Sequence, residues 1–107
     1  MMFRMISLSQ AEEAFHLLSE LLVVLDSQRE RNWSSGIKGA IAELLDAGGK
    51  IDPAGFENAR SIYNTMTKDG RGFSEYYIHK DDFDERINAN QKLDDLKGKI
   101  WRVFNPV

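Results

Sequence analysis

The chain is predicted to be all-α: a small four-helix bundle with a long aromatic-containing connection between its third and fourth helices. Three observations predict this. Apolar residues recur at spacings of three and four in four separate stretches, and helix start and stop signals punctuate those stretches. One segment, GRGFSEYYI at residues 70–78, fits neither pattern, with three aromatics and an isoleucine behind two glycines. At 107 residues the chain has the length of one domain and can bury one core, so residues 1–107 are expected to form a single helical unit.

The first helix is expected over residues 9–30. Ser9 with Glu12 has the form of a capping box, and Ser7 with Gln10 is an equivalent candidate just upstream. Phe15, Leu18, Leu22 and Leu25 form its stripe, widened by Leu21 and Val24. The second helix lies in RNWSSGIKGAIAELLDAGG, where Asn32, Ser34 or Ser35 is positioned to cap and Gly48-Gly49 to stop. Its apolar face is Trp33, Ile37, Ala40, Ile41, Leu44 and Leu45. Gly36 and Gly39 weaken this helix, which calls for close approach of another backbone on that side.

Asp52-Pro53 starts the third helix, expected over 53–68, because proline at the first helical position gives up an N–H that has no partner there. Phe56, Ala59, Ile62, Tyr63 and Met66 make its face, and Lys68-Asp69-Gly70 ends it. Asp81 or Asp82 caps the fourth helix, with Asp84 and Glu85 answering the positive dipole end. Its face reads Phe83, Ile87, Asn90, Leu93, Leu96, Ile100 and Val103 or Phe104, with Gly98 as a mild interruption.

A net charge of −3 and a pI near 5.3 argue against nucleic acid and against an anionic membrane surface. The absence of cysteine excludes disulfides, thiolate metal sites and a cysteine nucleophile. The start of the sequence lacks an uninterrupted apolar signal region, and LLVVL at 21–25 is too short to span a bilayer. A soluble, cytoplasmic protein is therefore expected. No nucleophile elbow and no recognised metal spacing is present, so neither catalytic residues, metal nor cofactor is expected and the protein is read as a non-enzyme. His79 with Asp81 and Asp82 cannot converge on one ion from adjacent positions.

The connection offers two readings. Gly70-Arg71-Gly72 has the composition of an anion-holding turn, whereas Phe73, Tyr76 or Tyr77, and Ile78 are suited to plugging the open end of the bundle. Packing is the favoured reading. Residues 69–85 carry six acids against Arg71 and Lys80. That excess beside tyrosines makes a docking face for a basic protein, with Glu75, Tyr76, Asp81, Asp82 and Glu85 as contact residues. Asn90 interrupts an apolar stripe, so its amide must be hydrogen-bonded. It either ties down the connection or, with Trp33 and Arg86, lines a pocket. Trp33 and Trp101 are read as core and core rim.

Asn32-Trp33, Ala59-Arg60-Ser61-Ile62-Tyr63, Gly70-Arg71-Gly72-Phe73-Ser74-Glu75, and Asn88-Ala89-Asn90 with Leu93 and Leu96 occur in this order. Together they resemble a family of small bacterial all-helical domains of unknown function, over about residues 10–104. Arg71 departs from that family's loop, where a small or apolar residue is common. The resemblance implies an immunity-type protein that binds and blocks a cognate toxin. Two other readings are a small-ligand regulatory domain with a pocket near Asn90 and Trp33, and a homodimer using Leu21 and Val24.

Overall fold

The computed structural model describes residues 6–68 and 72–106. Four α-helices run through them in the order expected: α1 (Leu8–Ser27), α2 (Ser34–Glu43), α3 (Phe56–Met66) and α4 (Phe83–Phe104). The protein is all-α. Two short 3-10 turns, Pro53–Gly55 and Phe73–Glu75, precede α3 and α4 respectively. Asp69, Gly70 and Arg71 lie outside the described residues, and with them the glycine-bracketed anion turn.

The upstream candidate starts α1. Ser7 accepts from the backbone of Gln10 at 3.1 Å, and the Gln10 side chain accepts from Ser7 N–H at 3.2 Å, which is the reciprocal capping box. The helix ends three residues before the expected boundary because Arg29 takes φ +55°. Arg29 N–H donates to Asp26 and Glu30 N–H to Leu25, at 3.0 and 2.9 Å, closing a Schellman motif on an arginine rather than a glycine.

None of Asn32, Ser34 and Ser35 caps α2. Trp33 stands at its N-cap with no side-chain cap bond; Glu30 instead orders the turn before the helix, its carboxylate accepting from Asn32 N–H at 3.0 Å and Trp33 N–H at 2.6 Å. Gly48 and Gly49 do not stop this helix either; it ends at Glu43, and Leu44 caps it. The glycines instead turn a loop pinned by an isolated antiparallel bridge between Leu45 and Ile51. Gly49 supplies the left-handed residue, φ +82°. Asp52 caps the turn before α3 by accepting from Ala54 N–H at 2.9 Å.

Close backbone approach exists, but at Gly55, where a Cβ would collide with the carbonyl oxygen of Glu43. Gly36 and Gly39 face side chains: a Cβ on Gly36 would lie 2.6 Å from Met66 Sδ, and one on Gly39 3.9 Å from Ile62. These small residues seat α3 on α2. Gln10 and Glu13 of α1 share a cleft with Lys99, Arg102, Val103 and Pro106. The start of α1 thus lies beside the end of α4, and the two long helices pack antiparallel.

The core is Leu18, Leu21 and Leu25 from α1, Ile37 and Ala40 from α2, Phe56, Ala59 and Tyr63 from α3, and Leu93, Ile100 and Phe104 from α4. Aromatic rings cross it in sequence: Trp33 on Phe73 at 5.8 Å, Phe73 on Tyr63 at 6.3 Å, Tyr63 on Phe104 at 5.8 Å and Phe104 on Phe56 at 5.1 Å between centroids. Such tilted and edge-on pairs add to the area term because ring edges are positive and faces negative. Leu21 is fully buried and Val24 is partly buried against the core, whereas the exposed apolar residues of that helix are Leu8 and Val23.

The α4 stripe is shorter than its periodicity implies. Leu93, Leu96, Ile100 and Phe104 are buried, but Phe83 is 61% exposed and Ile87 39% exposed. With 22 residues against 10 in α2 and 11 in α3, α4 outruns the two short helices. Its first turns leave the core and carry their apolar side chains into solvent. Among the described residues no helix is long and apolar enough to cross a membrane.

Candidate functional site

The segment from Gly72 to Asp82 lies along α4 as a strap, and three α4 side chains hold its backbone. Asn90 accepts from Ile78 N–H at 2.7 Å and donates to Ile78 C=O at 2.7 Å, with a further bond to Arg86 C=O at 2.8 Å. Lys97 Nζ donates to Tyr76 C=O at 2.6 Å. Arg86 donates to Lys80 C=O at 3.4 Å. The strap thereby satisfies backbone groups that have neither helix nor sheet to pair with.

Side-chain burial alternates along the strap. Phe73 and Ile78 are buried and plug the bundle, as expected, while Tyr77 and His79 are exposed. Tyr76 is half-buried and stacks on Phe73 at 5.9 Å with an interplanar angle of 13°. The Lys97 ammonium sits 4.8 Å from the Phe73 ring centre. Burial lowers the Lys97 pKa, and nearby Asp94 and Glu75 oppose that shift. Burial raises the Tyr76 hydroxyl, helped by the Glu30 charge.

Beyond the strap the acids face outward. Glu75, Asp81, Asp82, Asp84 and Glu85 are all exposed. Asp82 caps α4 by accepting from Glu85 N–H at 2.9 Å. The ion pairs among the described residues are Arg60–Glu57 at 3.1 Å and Lys99–Asp95 at 3.0 Å. Neither involves this acidic stretch, whose acids form no ion pair among the described residues. His79, Asp81 and Asp82 do not come together, and no metal-holding group of three His, Asp or Glu side chains exists among the described residues.

The same stretch also exposes apolar surface. Phe83 and Ile87, four residues apart, share one side of α4, and Arg86 places its guanidinium 5.5 Å from the Phe83 ring centre. Tyr77 adds a ring that is 57% exposed on the neighbouring strap. Of the expected contact residues, Glu75, Asp81, Asp82 and Glu85 stand where a partner can reach them, whereas Tyr76 gives a ring face to Phe73. Tyr77, Phe83 and Ile87 were missed: the helical period of α4 reads the last two as core, and only the length mismatch between helices reveals them.

The expected pocket residues are occupied elsewhere. Trp33 packs on Phe73, Arg86 lies between Phe83 and the strap, and the Asn90 amide is spent on Ile78 and Arg86. Asn90 is thus the tie between strap and helix, the internal of its two readings. Comparison with family models, characterised proteins and solved structures finds no match to this chain.

Proposed function

We propose that the protein is a non-enzymatic binding module that docks a basic protein surface on the start of α4, most concretely an immunity-type inhibitor of a bacterial toxin domain. One observation carries this reading: exposed acids, engaged in no ion pair among the described residues, neighbour the solvent-facing Phe83 and Ile87 where the strap joins the first turns of α4. Where exposed rings and unpaired charge share one surface, the rings supply affinity on burial and the charges supply steering and partner choice. The resemblance to small bacterial immunity-like domains points the same way, and inhibition by coverage requires no catalytic group.

The strap has a defined role in this reading. Asn90, Lys97 and Phe73 hold it against the bundle. Its exposed Tyr77 and the following acids are thus presented on an ordered backbone, which lowers the conformational entropy lost on association. The test is the polypeptide encoded beside this one. Its purified domain should bind this protein and lose its activity on doing so, and the interaction should weaken as salt rises. A neighbour that is acidic, or that binds a variant with Phe83→Ala and Glu85→Lys as well as the parent, rejects the proposal.

A further inference from the structure

A cleft between the end of α3 and the middle of α4 takes no part in the docking face. Its volume is 310 Å³, at the lower edge of the range of roughly 300–1,000 Å³ that small-molecule sites occupy. Tyr63 lines it from α3, Ser74 from the strap, and Lys97, Gly98, Trp101 and Arg102 from α4.

Three of its features are not demanded by folding. Trp101 stands 45% exposed at the cleft although the core has taken every other large ring of α3 and the second half of α4. Gly98 sits in a helix interior, where glycine is destabilising, yet a Cβ there would meet nothing nearer than the mobile tip of Arg102, at 3.2 Å from Nη1. No backbone or core atom requires the missing side chain; its absence gives the Arg102 guanidinium room to lie against the helix beside Trp101. Finally, the charged residues that line it are both cations. Lys97 already donates to Tyr76 C=O, while Arg102 is exposed and belongs to no ion pair among the described residues.

We propose that this cleft binds a small planar aromatic carboxylate, its ring lying against Trp101 and its carboxylate on the Arg102 guanidinium, which Gly98 lets lie close to the helix. The planar fork of arginine matches a carboxylate with two parallel hydrogen bonds, and an indole face is a broad platform for a flat ring. A cationic ligand is repelled by Lys97 and Arg102. A neutral ring keeps the platform but gives up the charge-assisted contact.

Titration with 2-naphthoate, followed by the Trp101 indole N–H in a proton–nitrogen correlation spectrum, tests this directly, with 2-naphthamide as the neutral control. Expected are saturable shifts centred on Trp101, at least tenfold weaker binding of the amide, a similar loss in Arg102→Gln, and abolition in Trp101→Ala. Gly98→Ala separates site from scaffold: it should raise the melting temperature and weaken naphthoate binding in the same protein. No saturation at millimolar naphthoate, equal binding of the amide, shifts centred on Phe83 and Ile87, or unchanged binding in Gly98→Ala would each overturn the proposal.

Discussion

Asn90 pairs with Ile78 as a neighbouring strand would, taking its N–H and giving to its C=O, both at 2.7 Å. One side chain thus does for the strap what a sheet partner does for a strand. Asn90→Ala leaves both groups of Ile78 without these partners. The expected loss is about 2–3 kcal/mol, since each stranded buried polar group costs on the order of 1–3 kcal/mol. Asn90→Asp is expected to be nearly as damaging at neutral pH, because its second oxygen would face the carbonyls of Ile78 and Arg86. That variant should regain stability as pH falls and the carboxyl acquires a proton to donate. Urea denaturation at two pH values checks both; a loss under about 0.5 kcal/mol would mean that burial of Phe73 and Ile78 alone holds the strap.

Asp82 is the N-cap of α4 as well as a member of the acidic face. Asp82→Ala should cost about 1 kcal/mol, while Asp82→Ser, which keeps a cap acceptor, should cost far less. Asp81→Ala, at an exposed neighbour, should be close to neutral for folding. Thermal melts of the three variants distinguish capping from surface charge. They also show why a test of docking should reverse Asp81 and Glu85 rather than Asp82.

Tyr63 is buried, and its hydroxyl donates to Lys97 C=O at 3.2 Å. Burial raises its pKa above the ordinary value of 10.0. The folded state therefore holds a proton that the unfolded chain releases near that ordinary value. This contribution is fully present below about pH 10 and is lost as pH rises toward the folded pKa. Stability measured across that alkaline range should fall, and Tyr63→Phe should flatten the fall at the cost of one hydrogen bond, about 1 kcal/mol at neutral pH. An unchanged alkaline slope in the variant would assign it to another group.

The turn between α1 and α2 rests on two adjacent residues. Arg29 occupies a left-handed position that glycine takes without a steric penalty, so Arg29→Gly is expected to be neutral or stabilising, by up to about 1 kcal/mol. Glu30 accepts from Asn32 and Trp33, and Glu30→Ala should cost about 1 kcal/mol for the lost turn hydrogen bonds. Chemical denaturation of the pair should show opposite signs; destabilisation by Arg29→Gly would mean that the guanidinium makes a contribution of its own.

Much of this was legible from residue spacing. Four helices followed from the recurrence of Leu18, Leu25, Ile37, Tyr63, Leu93 and Ile100, because a buried helical stripe must repeat with the turn. Ser7 and Asp82 stand among the cap candidates that orphan N–H groups demand, beside Ser9 and Asp81, and only the folded backbone chooses between them; Asp52 is marked by the proline after it. The need for a partner at Asn90 followed from the cost of an unpaired amide. What spacing could not supply was three-dimensional. Glu30 orders the approach to α2 by accepting from Asn32 and Trp33, through a turn set by Arg29's backbone angle. Phe83 and Ile87 continue an apolar period past the point where α2 and α3 end, so the same periodicity that marks core at Leu93 marks surface there. Trp101 and Gly98 look unremarkable along the chain, and become a cleft only when Tyr63 and Ser74 are brought opposite them.

The central claim is that the start of α4 is a docking face whose acids steer and whose exposed rings hold. Association and dissociation rates against the neighbouring gene's purified domain, at low and high salt, test it most directly, using parent, Asp81→Lys with Glu85→Lys, and Phe83→Ala. Charge reversal is expected to slow association at low salt, by a difference that shrinks at high salt. Phe83→Ala should mainly speed dissociation. Rates that none of these changes alters, with each variant folded as the parent is, would contradict it.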